Sequence, residues 1–166
     1  FRSRLIIARP VNHSGPGQRS RDFVLASFAA QIATIESGAV KPILKVGDLS
    51  RARDFLDVRD VVDAYMRLIA SASELPDRVS IFNVASGAAR SIASILDEFR
   101  SRSTCSFEIE VDPQRLRSNA VDIVSIACDA TKLSAATAWR PKYSMGDLVE
   151  ALLEESRSRL SCGGLV

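Results

Sequence analysis

Two kinds of polar and apolar pattern take turns along this chain. The run "RLIIA" (4–8) is short and apolar, as expected for a strand buried on both faces. A loop with Gly15-Pro16-Gly17 follows. From 22 to 37, Val24, Phe28, Ile32 and Ile35 recur at helical spacing, and Gly38 is placed to end that helix. "PILKVG" (42–47) predicts a strand before a turn. "RDFLDV" (53–58) is extended and passes into a helix whose apolar face would be Val58, Val61, Val62, Tyr65, Leu68 and Ile69. Asp57, three residues before Asp60, has the position of a helix cap. "SIFNVA" (80–85) is a second apolar strand, and Ser91 opens a helix with Ile92, Ile95, Leu96 and Phe99 inward. "FEIEVD" (107–112) alternates strictly, which predicts one buried face and one wet face. The last helix runs from 144 to 160. Ser144-x-x-Asp147 caps it, and Leu148, Val149, Leu152 and Leu153 line one side.

Strands alternating with helices predict an α/β fold with a parallel sheet, and there is no internal repeat. Two strands of the fully buried type are too few for such a sheet, since each wants neighbours on both sides and helices on both faces. The pattern therefore predicts part of a larger fold, an expectation strengthened by the start at Phe1 in place of a methionine.

Composition narrows the function classes. With 46% apolar residues in 166, the chain can build a core, so disorder is not the reading. A net charge of +2 is far from a nucleic-acid-binding balance. Arginines 2, 4, 9, 19 and 21 precede the first acid, Asp22, but no aromatic residues interleave them, and a positive cleft wall explains them equally well. No apolar run approaches the roughly 18 residues of a membrane span. The opening "FRSRLIIARP" is too short in its apolar part for a signal peptide. Cys105, Cys128 and Cys162 are odd in number and widely spaced, which predicts reduced thiols in a cytoplasm and neither a disulfide frame nor a zinc site. With His13 the single histidine, no two-histidine metal motif can form.

Five stretches carry a resemblance: "ARPVNHSGPGQ", "RDFLDVRDVVDAY", "FNVASG", "DPQRLR" and "TAWRPKYSMGDLVEALL", in this order. Together they resemble the C-terminal half of an extended short-chain dehydrogenase/reductase acting on nucleotide sugars. They are most like the GDP-6-deoxy-4-keto-mannose reductases, then the GDP-mannose 4,6-dehydratases. The resemblance implies the C-terminal part of a Rossmann-like NAD(P)-binding fold, with Rossmann strands near 4–10 and 80–86. The remaining segments would form a small α/β substrate-binding domain. It also implies NAD or NADP as cofactor, a GDP-sugar as substrate, no nucleic-acid or membrane partner, and a homo-oligomer of the full-length protein.

The family's Gly-rich turn and Tyr-x-x-x-Lys pair do not occur here. Tyr65 has Ile69 four residues on, and Tyr143 has Asp147. The resemblance thus places the acid/base chemistry and most cofactor contacts upstream of Phe1, and no catalytic residue within the chain. "GPGQ" after the Asn-His pair is similar to the reductases, where dehydratases usually carry "P-R-R-G". A non-catalytic nucleotide-sugar-binding or interaction module is the alternative from another class, favoured if nothing precedes Phe1.

By the same resemblance Asn12 contacts the sugar nucleotide near its diphosphate, and Pro10 and His13 lie near the nicotinamide. Arg53 grips the diphosphate, a task suited to a fork-shaped guanidinium. Arg117 is the second such arginine, with Arg115 the alternative register. Leu44 and Val46 share one strand face, which either lines the base pocket or is plain core. Phe23 either flanks the base or anchors the helix start. Trp139 is expected as a packing anchor, Arg59 and Asp60 as surface charges, Asp54 as an arginine's partner and Asp57 as a helix cap.

Overall fold

A computed structural model of the chain describes residues 3–18, 23–116 and 123–163. β1 (Leu5–Pro10) and β5 (Val79–Val84) pair in parallel, with Leu5 opposite Val79 and Pro10 opposite Val84. Side chains alternate across a strand. Ile6, Ala8, Phe82 and Val84 therefore face one way, into a core shared with α2 (Val58–Ala70) and Leu133 of α4 (Thr131–Thr137). Trp139 is fully buried in this core, as expected, and its indole Nε1 donates to the Asp60 carbonyl at 3.1 Å. The other face of the pair is apolar but uncovered: Leu5 is 54% and Val79 52% exposed.

A second core forms among α1 (Val24–Glu36), α3 (Ile92–Arg102) and α5 (Met145–Ser161), packed on β3 (Ile43–Val46). Phe28 and Phe99 meet edge-to-face at 5.8 Å. The helix ends follow the sequence signals. Ser91 accepts from the Ser94 amide, and Ser144 and Asp147 close a reciprocal capping box. Gly38 ends α1 with φ +73°, a left-handed conformation that glycine adopts without strain.

β7 (Glu108–Val111) pairs in parallel with β3, Leu44 opposite Ile109. The alternation of its sequence predicts one buried face, but all four of its residues are exposed. β7 lies at the edge of a two-stranded sheet, beyond the cover that α1 and α5 give to β3.

Between the cores lies β4 (Ala52–Asp57). It pairs in parallel with β2 (Asn12–Ser14) and β8 (Ser125–Ile126), and antiparallel with β6 (Ala89–Ser91). Phe55 packs on the α1–α3–α5 core, and the next residue, Leu56, belongs to the Trp139 core. Opposite side chains of one strand thus join the two bodies.

The expected apolar face of α2 is corrected in part. Val61 and Leu68 are buried, but Val62 is 53% and Ile69 67% exposed, with Tyr65 and Met66 also exposed. α2 is apolar on two sides and lies on β1 and β2 by one of them.

Candidate functional site

The ends of β2 and β4 gather the residues that the sequence singled out. Asn12 and His13 stand opposite Phe55 and Leu56, with Arg53 two residues earlier on β4. Asn12 and His13 are exposed and Arg53 is half-buried. The Arg53 guanidinium donates through Nη1 to the carbonyls of Ala52 (2.9 Å) and Ile123 (2.5 Å). His13 Nδ1 lies 3.0 Å from the Val11 carbonyl, which can only accept, so Nδ1 is the donor in that contact. Pro10 closes β1 opposite Val84, just before this segment.

The Gly15-Pro16-Gly17 turn is built into the fold. A Cβ on Gly15 would come within 2.6 Å of Val58 Cγ1, so the turn lies close against the start of α2. Gly17 has φ +96° and donates its amide to Glu155 Oε2 of α5 at 2.7 Å. Ser14, buried, donates to Gln18 Oε1 at 2.6 Å. The segment leaving β2 is thereby held at a fixed angle to both α2 and α5.

Carboxylates fix the other side. Asp54 is 1% exposed, and its partner is not an arginine as the sequence suggested. It accepts from Ser86 Oγ (2.6 Å) and from the amides of Ser86 (3.1 Å), Gly87 (3.0 Å) and Cys128 (3.5 Å). A buried carboxylate needs such donors, and here they bind the β5–β6 turn and the segment after β8 to β4. Asp57 caps α2 through the Arg59 amide, as expected, and also takes the Arg59 side chain at Nε (2.8 Å) and Nη2 (2.6 Å). The Asp57 carboxylate holds the Arg59 guanidinium further into its charged form. Arg59 lies 3.8 Å over the Tyr143 ring. Asp60, expected at the surface, is fully buried and accepts from the amides of Lys142 (3.0 Å) and Tyr143 (3.1 Å). Arg59 and Asp60 are therefore structural joints between α2 and the loop before α5.

Other expected site residues fall elsewhere. Leu44 and Val46 are 0% exposed within the α1–α3–α5 core, so packing accounts for their side chains. Phe23 is 55% exposed at the start of α1. Arg115 donates through Nη1 to Ser27 Oγ at 2.9 Å and pairs with Asp112 at 3.5 Å. Arg117 lies outside the described residues. The sequence reading passed over Arg90, which stands directly opposite Arg53 across the antiparallel ladder. Its signal was hidden in a strand of three residues.

Chemically, one face of this sheet offers a positioned guanidinium, a second arginine and an exposed amide, with the His13 imidazole on the opposite face. That set recognises anions and polar groups. A dinucleotide would need donors for its phosphates. The chain carries no glycine-rich turn to hold the dinucleotide's phosphates. Among the described residues no helix is long and apolar enough to cross a membrane.

Several known proteins are similar to the chain. The chain is 34% identical to the GDP-6-deoxy-D-mannose reductase of Pseudomonas aeruginosa over 157 residues, 95% of this chain and 49% of that protein. It thus spans about half the length of this curated relative. The solved structure of RMD from Pseudomonas aeruginosa complexed with NADPH superposes with a TM-score of 0.83 at 34% identity, over 94% of this chain and 49% of that one. UDP-glucose-4-epimerase from Stenotrophomonas maltophila, solved with NAD and formylated UDP-arabinopyranose, is 19% identical with a TM-score of 0.76, over 97% of this chain and 49% of that one. At that identity it shows the fold alone, an α/β Rossmann-like fold with parallel strand pairs. A family profile described as GDP-mannose 4,6 dehydratase matches residues 2–152, and the chain belongs to that family.

Proposed function

We propose that this chain supplies the sugar-nucleotide-binding part of an NAD(P)-dependent nucleotide-sugar enzyme. The substrate we assign is GDP-4-keto-6-deoxy-D-mannose, reduced at its C4 ketone to GDP-D-rhamnose. One observation carries the reading: Arg53 is held on β4 by two carbonyls, two residues before Phe55, the residue opposite the exposed Asn12. A diphosphate needs a fork-shaped, positioned cation, and Arg53 has that form. Asn12 would bind the sugar nucleotide near the diphosphate, and His13 and Pro10 would border the nicotinamide. Arg117 is the candidate for a second grip on the diphosphate and Phe23 for the base. The cofactor would supply the hydride, and these residues would bind and orient the sugar nucleotide.

The choice of reductase rests on the 34% identity to a GDP-6-deoxy-D-mannose reductase and on "GPGQ" after the Asn-His pair. GDP-mannose 4,6-dehydratase is the second reading, favoured by the description of the matching family. The test is thermal stabilisation of the protein by GDP-, UDP- and dTDP-sugars. A larger shift with GDP-sugars is expected, and equal shifts with all three would defeat the guanine assignment. Within residues 1–166 no Tyr-x-x-x-Lys pair occurs. The chain by itself is therefore expected to show no reductase or dehydratase turnover and no NAD(P)H binding, which cofactor fluorescence would detect.

A further inference from the structure

Glu155 sits in the second half of α5, a helix that is held without it. Leu148, Val149, Leu152 and Leu153 bury one side of α5, and Arg157 pairs with Glu36 of α1. One Glu155 oxygen takes the Arg159 guanidinium one turn further on, a partly exposed pair of a kind that adds little stability. The other oxygen, Oε2, accepts the Gly17 amide at 2.7 Å, from 138 residues away in the chain. The turn is closed without that bond as well. The Gln18 amide donates to the Gly15 carbonyl at 3.2 Å, and Ser14 Oγ holds the Gln18 side chain. Neither helix nor turn needs the Glu155 contact in order to form. What the contact adds is the placement of one against the other.

Two further constraints act on the same few residues. Gly15 lies against Val58, and Gly17 is held at a positive φ. Exposed connections ordinarily vary and move, but this one has its course fixed from three sides although Pro16 and Gly17 are exposed. It also joins the two parts of the proposed site, since Asn12 and His13 precede it and Phe23 follows. We propose that Glu155 is a positioning residue. Its carboxylate sets the course of the 15–18 turn, so that Asn12 and Phe23 meet the sugar nucleotide from fixed places. A segment already held in its bound course loses less freedom on binding. The identity of the ligand rests on the function proposed above, whereas the hold on the turn does not.

The experiment compares the native chain with Glu155→Ala, Glu155→Gln and Arg159→Ala. Each is titrated calorimetrically with GDP, melted without ligand, and followed by NMR for hydrogen exchange at the Gly17 amide. Glu155→Ala should bind GDP roughly three- to tenfold more weakly, because only a fraction of the molecules then holds the turn in its binding course. Its Gly17 amide should exchange faster, by local opening. Glu155→Gln keeps an acceptor of the same reach and should bind within about twofold of the native chain. Arg159→Ala leaves Glu155 on Gly17 and should do the same. All three should melt close to the native chain. Equal GDP affinity in Glu155→Ala and the native chain overturns the positioning role and leaves the nucleotide reading intact. A loss in Arg159→Ala as large as in Glu155→Ala assigns the effect to the helix pair and overturns that role too. So does a fall in melting temperature that accounts for the lost affinity. No GDP binding by the native chain overturns the nucleotide reading and the part of Glu155 in it. Unchanged Gly17 exchange in Glu155→Ala overturns the hold on the turn whatever the ligand does.

Discussion

Glu36 at the end of α1 and Arg157 in α5 form a two-pronged ion pair, Nε to Oε2 at 2.8 Å and Nη2 to Oε1 at 2.9 Å. The same carboxylate accepts the Thr104 amide (2.8 Å) and Ser103 Oγ (3.2 Å), and Arg157 also donates to the Arg102 carbonyl (2.9 Å). One buried carboxylate therefore joins α1, α5 and the end of α3. The Arg157 guanidinium beside it, aided by the Thr104 amide, lowers the Glu36 pKa from 4.5 to about 2, against the opposing effect of burial.

A carboxyl whose folded pKa is depressed stabilises the fold above its unfolded pKa. That stability is lost as pH falls through the folded value. The contribution of Glu36 should be complete above pH 4.5 and fade towards pH 2. Its size is roughly 3–4 kcal/mol at most, taking about 1.4 kcal/mol for each pH unit between the two values. Urea titrations at pH 7, 4 and 3 check this. Glu36→Gln should lower stability at pH 7 by a similar amount and flatten the acid side of the profile. A parallel profile in the variant would show that other carboxylates carry the acid sensitivity.

Asp60 should be costly to remove although it lies on a helix and touches no proposed ligand. Its two oxygens hold the Lys142 and Tyr143 amides, and its carbonyl takes the Trp139 indole. Asp60→Ala strands two amide donors where water has little access, which costs about 2–4 kcal/mol. Asp60→Asn keeps one acceptor and should cost about half as much. Chemical denaturation of the two variants gives the order directly.

Arginines six residues apart should separate binding from stability. Arg53→Ala is expected to weaken sugar-nucleotide binding by roughly 2–4 kcal/mol, the scale for truncating one partner of a charged hydrogen-bonded pair. Arg59→Ala should leave binding nearly unchanged. It should lower stability by about 1–2 kcal/mol, because buried Asp57 loses two donors and Tyr143 its stacked cation. Calorimetry and denaturation on the same two variants make the comparison. The opposite pattern would mean that the diphosphate register along β4 is misplaced.

Local signals explain what the sequence revealed. The caps at Ser91, Ser144 and Asp57 act within three residues of themselves, so spacing alone locates them. The apolar runs at β1 and β5 and the faces of α1, α3 and α5 were legible because one period governs each. Long-range contacts were not. Asp54 finds Ser86 32 residues away and Asp60 finds Lys142 82 away, and no pattern near either acid announces the partner. β2, β6 and β8 are two or three residues long, too short for any periodicity, and exist because β4 is there to pair with them. The short β6 hid the relation between Arg53 and Arg90. The residues proposed for the site, Asn12, His13 and Arg53, came from motif resemblance, since periodicity says nothing of ligands.

The uncovered apolar surface should make the chain associate. Parallel strands are ordinarily covered on both faces, yet one face of the β1–β5 pair exposes Leu5, Val79 and Ile81. α2 adds a second apolar side with Val62, Met66 and Ile69. Contiguous apolar patches of this kind are drawn together in water, and unpaired strand edges accept further strands. Light scattering on the purified chain should therefore give a mass of a dimer or more, growing with concentration. Met66→Glu with Ile69→Glu removes apolar area from the helix side without touching either core. If α2 carries the contact, that double variant should shift the mass towards monomer while its circular dichroism stays unchanged. If the β1–β5 face carries it, only Ile81→Lys will do so, and the helix variant will scatter like the native chain. A native chain that stays monomeric at high concentration with a dispersed NMR spectrum would show that these surfaces are tolerated in water. The α/β unit would then be stable by its two cores alone.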